Sequence, residues 1–267
     1  MSGPLPIRTV EKVWGVDRLP APFATPEGKR IGEIWFEPPA ALPDLLVKYL
    51  FTSEKLSIQC HPSDEQAAAL GEPSGKEECW LVTAAGPGAT LGIGFDAPIS
   101  AQAMRAAALD GSIEQAMTWH AVVPGDFFYI PAGTVHAIGP GVSLIEVQQN
   151  ADITYRLYDY GRPRELHLER GMQVAKGEIY DRANLYRSVP ERGFVRLVDG
   201  PKFCLARTDG DWPQGERGPA GPCLAIPVDG PVRVAGESVA AGGCALAENL
   251  ETIRFDGDAR CLIAWPA

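Results

Sequence analysis

Histidine is scarce. The 267-residue chain contains four, His61, His120, His136 and His167, so any imidazole chemistry lies no further along than residue 167. Basic residues are outnumbered too: 24 Lys and Arg against 34 Asp and Glu leave a formal net charge of -10 and a sequence pI near 4.9. That balance excludes a broad positive field able to hold nucleic acid or an anionic membrane without specificity, and an anionic ligand must be met by a local cluster. The six cysteines (Cys60, Cys79, Cys204, Cys223, Cys244 and Cys261) include no CxxC pair. They argue against a zinc ribbon or a disulfide framework, and each reads as a small buried hydrophobe. Long apolar runs are missing as well: no stretch of about 18 apolar residues occurs, and no charged start leads into an apolar h-region. The expected location is the cytoplasm, with no membrane partner and no nucleic acid.

What the chain has instead is punctuation. With 24 prolines, 29 glycines and 45% hydrophobic residues, it reads as many short strands joined by turns. Its length suggests one large or two modest domains, at roughly 150 residues each. Strands are expected at 30–38, 45–51, 55–61, 77–84, 89–95, 126–131 and 141–149. They are interrupted by a helical interlude at about 100–118, in which Ser100 caps an alanine-rich run and Asp110-Gly111 ends it. After Asp159 the stretch 162–179 reads as a connecting helix, and short strands resume. The class is all-β, with two small barrels or sandwiches, the second without histidine.

Side chains two apart on a strand share a face, so Gln59 and His61 can converge on one point while Cys60 faces away. "GKEECWLV" supplies Glu78 on a neighbouring strand, with Lys76 two positions earlier on the same face. A third segment, "PGDFFYIPAGTVHAIG", places Gly125, Pro131, Gly133 and His136 in the spacing G-x5-P-x-G-x2-H. Gln59 and Glu78 could be ordinary interior polar groups, but an unpaired buried carboxylate is costly, and ligation explains it at lower cost. Two imidazoles, a carboxylate and an amide oxygen suit zinc and would also accept manganese, cobalt, nickel or iron. His120 and His167 read as structural.

The third spacing resembles the second signature of the cupin superfamily, with Gln59-Cys60-His61 standing where that superfamily has His-x-His. More closely, "LSIQCHPSDE", "GKEECWLV", "FFYIPAGTVHAI" and "EVQQNADITYRLYDYGRPRELH", together with "VEKVWG", "IGEIW" and "LLVKYL", resemble the class I mannose-6-phosphate isomerases of the short bacterial type. The resemblance implies two cupin-type jelly-roll barrels with a short helical insertion and a connecting helix. Residues 1–165 would form the metal-binding catalytic barrel, and 166–267 the connecting helix plus a degenerate, metal-free barrel. It also implies one Zn2+ per chain on Gln59, His61, Glu78 and His136, and interconversion of mannose 6-phosphate and fructose 6-phosphate through a cis-enediol.

That chemistry needs a cation near developing enediolate charge, a base near the C1/C2 protons and an anion site for phosphate. The resemblance matches Arg156 to the charge-stabilising role and Ser57 and Lys48 to the phosphate. Lys76 is expected to be a catalytic site residue. As the base it competes with the carboxylates Glu146 and Asp152, and Glu146 is also expected to contact substrate. The partner is a small phosphorylated sugar, and the chain is expected to be a monomer or small homo-oligomer. Other metalloenzyme chemistry on the same fold, with another sugar phosphate or with dioxygen, and a non-catalytic sugar-phosphate binder are the alternatives.

Overall fold

The computed structural model describes residues 2–267. Its strands form four antiparallel sheets among the described residues. The strand Leu45–Phe51 explains the arrangement. All seven of its residues are buried, although it carries a lysine at its centre, and a strand buried along both faces must lie between two packed layers.

One face of that strand (Leu45, Val47, Tyr49, Phe51) joins a core with Leu205, Leu224, Ile226 and Leu262 from the C-terminal part of the chain. The other face carries Lys48 and Leu50, and Leu50 packs with Trp80, Phe128, Leu91 and Ile93. Leu45–Phe51 belongs to a seven-stranded sheet whose order is Tyr186–Ser188, Asp126–Ile130, Glu78–Ala85, Val142–Gln149, Leu45–Phe51, Ile31–Phe36 and Ile7–Val16. Opposite it stands a five-stranded sheet: Tyr155–Tyr158, Ile58–Cys60, His136–Ile138, Thr90–Phe95 and Met117–Ala121. The two sheets enclose the first sandwich, matching the jelly-roll expectation.

The C-terminal part forms a six-stranded sheet backed by a three-stranded one. Their common core holds Cys204, Cys223, Cys261, Val232, Ile253 and Trp265. All six cysteines are buried and free, as small hydrophobes would be. The N-terminal strand Gly3–Pro4 pairs with Ala245–Ala247 of this sheet, whereas Tyr186–Ser188 returns to the first sandwich.

The helical interlude runs over Ala101–Asp110, with the Ser100 hydroxyl accepting from the Ala103 amide at 3.2 Å. It stops at Gly111, whose φ of +86° is a left-handed cap that a side chain would strain. Met104, Ala107 and Ala108 cover the outer face of the five-stranded sheet, where Cys60 also lies. Two expectations shift. The interlude gives way to a strand at Met117–Ala121, which pairs with Thr90–Phe95. The connecting helix is confined to Leu168–Val174. Before it, Arg162 and Arg164 fold back onto Asp159, and after it the amides of Phe95 and Ile99 donate to the carbonyls of Glu178 and Gly177. The first sandwich thereby takes the backbone groups that a longer helix would have used on itself.

Candidate metal centre

The turn after Asp126–Ile130 brings the last predicted ligand into place. Gly133 sits at φ +84°, and a Cβ there would lie 2.7 Å from the Val174 carbonyl oxygen, so only glycine fits the bend. His136 emerges from it on the strand His136–Ile138, directly opposite Gln59 across the ladder. The strand carrying Gln59 is shorter than expected, Ile58–Cys60, and Ser57 and His61 flank its two ends with Pro62 following.

His61, Glu78 and His136 converge. Their ligand atoms all lie within 4.8 Å of one another, and all three residues are buried. His61 Nε2 is 3.6 Å from Glu78 Oε2, and His136 Nε2 is 3.4 Å from Glu78 Oε1. Each imidazole points its Nδ1 at a backbone carbonyl, Ile153 at 2.6 Å and Thr134 at 2.9 Å. An N–H donated there leaves the Nε2 lone pair aimed inward, the tautomer a metal ligand requires.

The donor set fits a cation. His61 Nε2 is buried with no hydrogen-bond partner, and Glu78 Oε2 has only the Lys76 ammonium beside it; a bound ion would satisfy the lone pairs left open. Burial, reinforced by the charge of Lys76, holds His61 well below its ordinary range; burial takes His136 down to about 4. Both rings are therefore neutral near pH 7. Burial, then the charge of Glu146, lifts the Glu78 carboxyl to about 7. Gln59 turns its amide nitrogen toward His136 Nε2 at 3.4 Å, while its oxygen accepts from the Ser57 hydroxyl at 3.1 Å. A half-turn of that amide presents the oxygen to the same point, and Ser57 can then accept from the nitrogen instead.

Beside these ligands lies a cavity of about 260 Å³ lined by Lys48, Ser57, Gln59, Lys76, Glu78, Glu146, Asp152 and Arg156, among others. Its charged residues are interlocked. Lys76 Nζ is 2.7 Å from Glu78 Oε2 and 3.7 Å from Glu146 Oε1, and Lys48 Nζ is 3.3 Å from Glu146 Oε1. The other Glu146 oxygen accepts from Trp80 Nε1 at 3.0 Å. Burial alone would raise the Glu146 carboxyl, but Lys76 and Lys48 overcome it and hold the group at about 2. Burial likewise works against the Lys76 ammonium, yet Glu146 and Glu78 raise its pKa above the ordinary lysine range. Lys48 goes the other way, lowered chiefly by burial. Glu146 is thus the ionised partner of two lysines, and Lys76 is protonated.

Arg156 is half-buried beside Gln59, its ladder partner. One of its terminal nitrogens donates to the Glu165 carbonyl at 2.7 Å, and its Nε has no partner. His167 braces it from behind: its Nδ1 accepts from the Arg156 amide at 3.1 Å, and its own amide donates to the Arg156 carbonyl at 2.7 Å. His120 lies on the strand Met117–Ala121, away from the ligands, against Phe128 and Tyr180.

Several cavity residues went unnoticed in the sequence. Trp35 places its ring under Lys48 Nζ at 4.2 Å and donates Nε1 to Glu33, which also meets Lys12 at 3.3 Å. Arg164, clamped by Asp159, lines the cavity as well. Trp35 reaches the cavity through cross-strand register, because it stands opposite Lys48, itself opposite Glu146. A second polar recess of about 370 Å³, among Glu191, Asp209, Asp211, Asp229 and Arg260, contains no histidine and reads as solvated surface.

No protein-family model matches the chain. It is 38% identical over 168 residues to the mannose-6-phosphate isomerase of Streptococcus mutans, covering 60% of this chain and 53% of that protein. It is 39% identical over 158 residues to ManA, a mannose-6-phosphate isomerase of Bacillus subtilis, covering 57% of this chain and 47% of that one. The aligned stretch thus spans about half the length of these curated relatives. The fold match reaches further. The crystal structure of the mannose 6-phosphate isomerase from Bacillus subtilis superposes with a TM-score of 0.79 over 99% of each chain at 23% identity. A putative mannosephosphate isomerase from Archaeoglobus fulgidus superposes with a TM-score of 0.74 at 17% identity, covering 98% of this chain and 96% of that one. Over about 60% of its sequence the chain is similar to proteins named mannose-6-phosphate isomerase, and its fold is similar to that of the Bacillus subtilis one along almost its whole length.

Proposed function

We propose that the protein is a metal-dependent aldose–ketose isomerase that interconverts mannose 6-phosphate and fructose 6-phosphate through a cis-enediol. The observation that carries this reading is the joining of a buried His61–Glu78–His136 triad to a cavity lined by Lys48, Lys76, Arg156 and Ser57. A divalent metal, proposed as zinc, would be held by these three residues and Gln59, and would supply Lewis acidity toward sugar oxygens.

The chain's own residues do the rest. Arg156, with an unpartnered Nε, offers positive charge for the developing enediolate. Lys76, protonated and fixed on Glu78, is suited to donate a proton or hydrogen bond to a sugar oxygen at the C1/C2 end. Lys48 and Ser57 face the phosphate, and Glu146 holds both lysines in register. Asp152, exposed on the cavity rim, is the carboxylate free of these pairings and is proposed as the base for the C1/C2 proton.

The test is a coupled assay of mannose 6-phosphate isomerisation on chelator-treated protein, with and without zinc added back. Turnover restored by zinc supports reaction, substrate and metal together. No turnover with any divalent metal refutes the reading and favours another sugar phosphate or a binding protein.

A further inference from the structure

Lys76 lies in a segment whose backbone is held at three successive amides. Gly75 donates to Asp64 Oδ1 at 2.7 Å, Lys76 to the Pro62 carbonyl at 3.0 Å, and Glu77 to Gln149 Oε1 at 3.0 Å. Gln149 closes the loop by donating its Nε2 to the same Asp64 oxygen at 3.0 Å. The segment has no slack: a Cβ on Gly75 would lie 2.4 Å from the carbonyl carbon of Ser63.

The second Asp64 oxygen receives Lys202 Nζ at 2.5 Å. Lys202 sits in the turn between the strands Val195–Asp199 and Phe203–Thr208 of the C-terminal sandwich. That lysine holds the Asp64 pKa below the ordinary carboxylate range. Glu77 makes a parallel connection, accepting from the Tyr129 hydroxyl, whose ring lies 6.2 Å from Phe203. The histidine-free sandwich therefore reaches the chain segment carrying Lys76 and Glu78 through charged and aromatic contacts.

We propose that Lys202, Asp64 and Gln149 are positioning residues for the isomerisation, a relay by which the C-terminal sandwich sets the placement of Lys76 in the cavity. Its catalytic consequence rests on the isomerase reading above. Asp64 divides its carboxylate between the Gly75 amide and Lys202. With the lysine gone, its side chain, 41% exposed, can turn to water and release the amide. A pair this exposed contributes little to folding, so its effect should fall on turnover rather than on stability.

The experiment compares the holoenzyme with its Lys202→Met, Lys202→Arg and Asp64→Asn variants. Lys202→Met is expected to keep its metal content, to melt within about 2–4 °C of the parent, and to lose roughly tenfold or more in kcat with KM little changed. Lys202→Arg should recover most of that loss, and Asp64→Asn should resemble Lys202→Met. Equal kcat in Lys202→Met and the parent, or joint loss of metal and activity, overturns the relay. Amide hydrogen exchange at Gly75 and Glu77 is read in the same variants and needs no turnover. Exchange about tenfold faster in Lys202→Met supports the relay even if the parent shows no isomerase activity, and unchanged exchange overturns it.

Discussion

Replacing Glu146 by glutamine removes one charge from a buried set of two lysines and two glutamates: Lys48, Lys76, Glu78 and Glu146. All four are at least 95% buried, and Glu146 is the member that touches both lysines. Glutamine can still accept from Trp80 Nε1, so shape and one hydrogen bond survive while the charge balance does not. Removing one partner of a buried pair costs about 3–5 kcal/mol, because the other charge is left uncompensated. The pKa gives an independent figure. A carboxyl held at about 2 in the fold, against about 4.3 unfolded, at about 1.4 kcal/mol per pH unit, contributes about 3 kcal/mol. Because its folded pKa is depressed, that contribution is present above the unfolded value and is lost as pH falls toward 2. Urea unfolding of chelator-treated protein at pH 7 should therefore show Glu146→Gln about 3–5 kcal/mol less stable than the parent. The gap between the two should narrow on acidification below pH 4.5. Adding Lys48→Met, which keeps the aliphatic stem against Trp35, should return at least about 1 kcal/mol by restoring neutrality. A Glu146→Gln protein within about 1 kcal/mol of the parent at pH 7 would refute the claim that this set is charge-locked.

His136→Ala should abolish both stoichiometric metal binding and turnover, since it removes one of two inward-facing lone pairs; metal analysis after gel filtration checks it, and retained metal contradicts the ligand assignment. Gly133→Ala should destabilise the protein by about 1–3 kcal/mol, because φ is +84° and the added Cβ would lie 2.7 Å from the Val174 carbonyl oxygen. Thermal unfolding measures that loss, and an unchanged midpoint would mean the turn is free to relax.

Much of the fold was legible because burial and turn chemistry act locally. The strand expected at 45–51 appears with those bounds, and the one at 141–149 starts a residue later, at Val142, since an apolar stretch ended by Gly or Pro has few other ways to satisfy its backbone. Ser100 and Gly111 bound the helix as a capping hydroxyl and a left-handed glycine should. The stretch 162–179 misled because helical spacing competes with tertiary partners that sequence does not display. Asp159 takes up the two arginines, and Phe95 and Ile99 take the later carbonyls. Strand parity likewise aimed Gln59 and Lys76 at one cavity, but Trp35 and Glu33 enter it only through cross-strand register, and Lys202 meets Asp64 across 138 positions.

The charge count explains why so many ionisable groups can share so small a space. With Glu78 ionised, as it would be against a bound cation, two lysines and two glutamates are neutral together, so this quartet neither repels a divalent cation nor binds a phosphate monoester strongly by itself. A dication and a substrate carrying about -1.5 to -2 at pH 7 would leave it near neutrality again. On the proposed function, metal and substrate each offset the electrostatic cost of the other, so binding of the two should be mutually reinforcing. Arg156 stands outside the quartet, with its Nε unpaired. Its charge is not committed to a carboxylate, and on the proposed function it would respond when negative charge moves onto the sugar oxygens. Glu146→Gln should then strengthen binding of inorganic phosphate to the chelator-treated protein while leaving Arg156 untouched. Isothermal titration would detect the change, and unaltered phosphate affinity would argue that the lysines are not electrostatically available to the ligand.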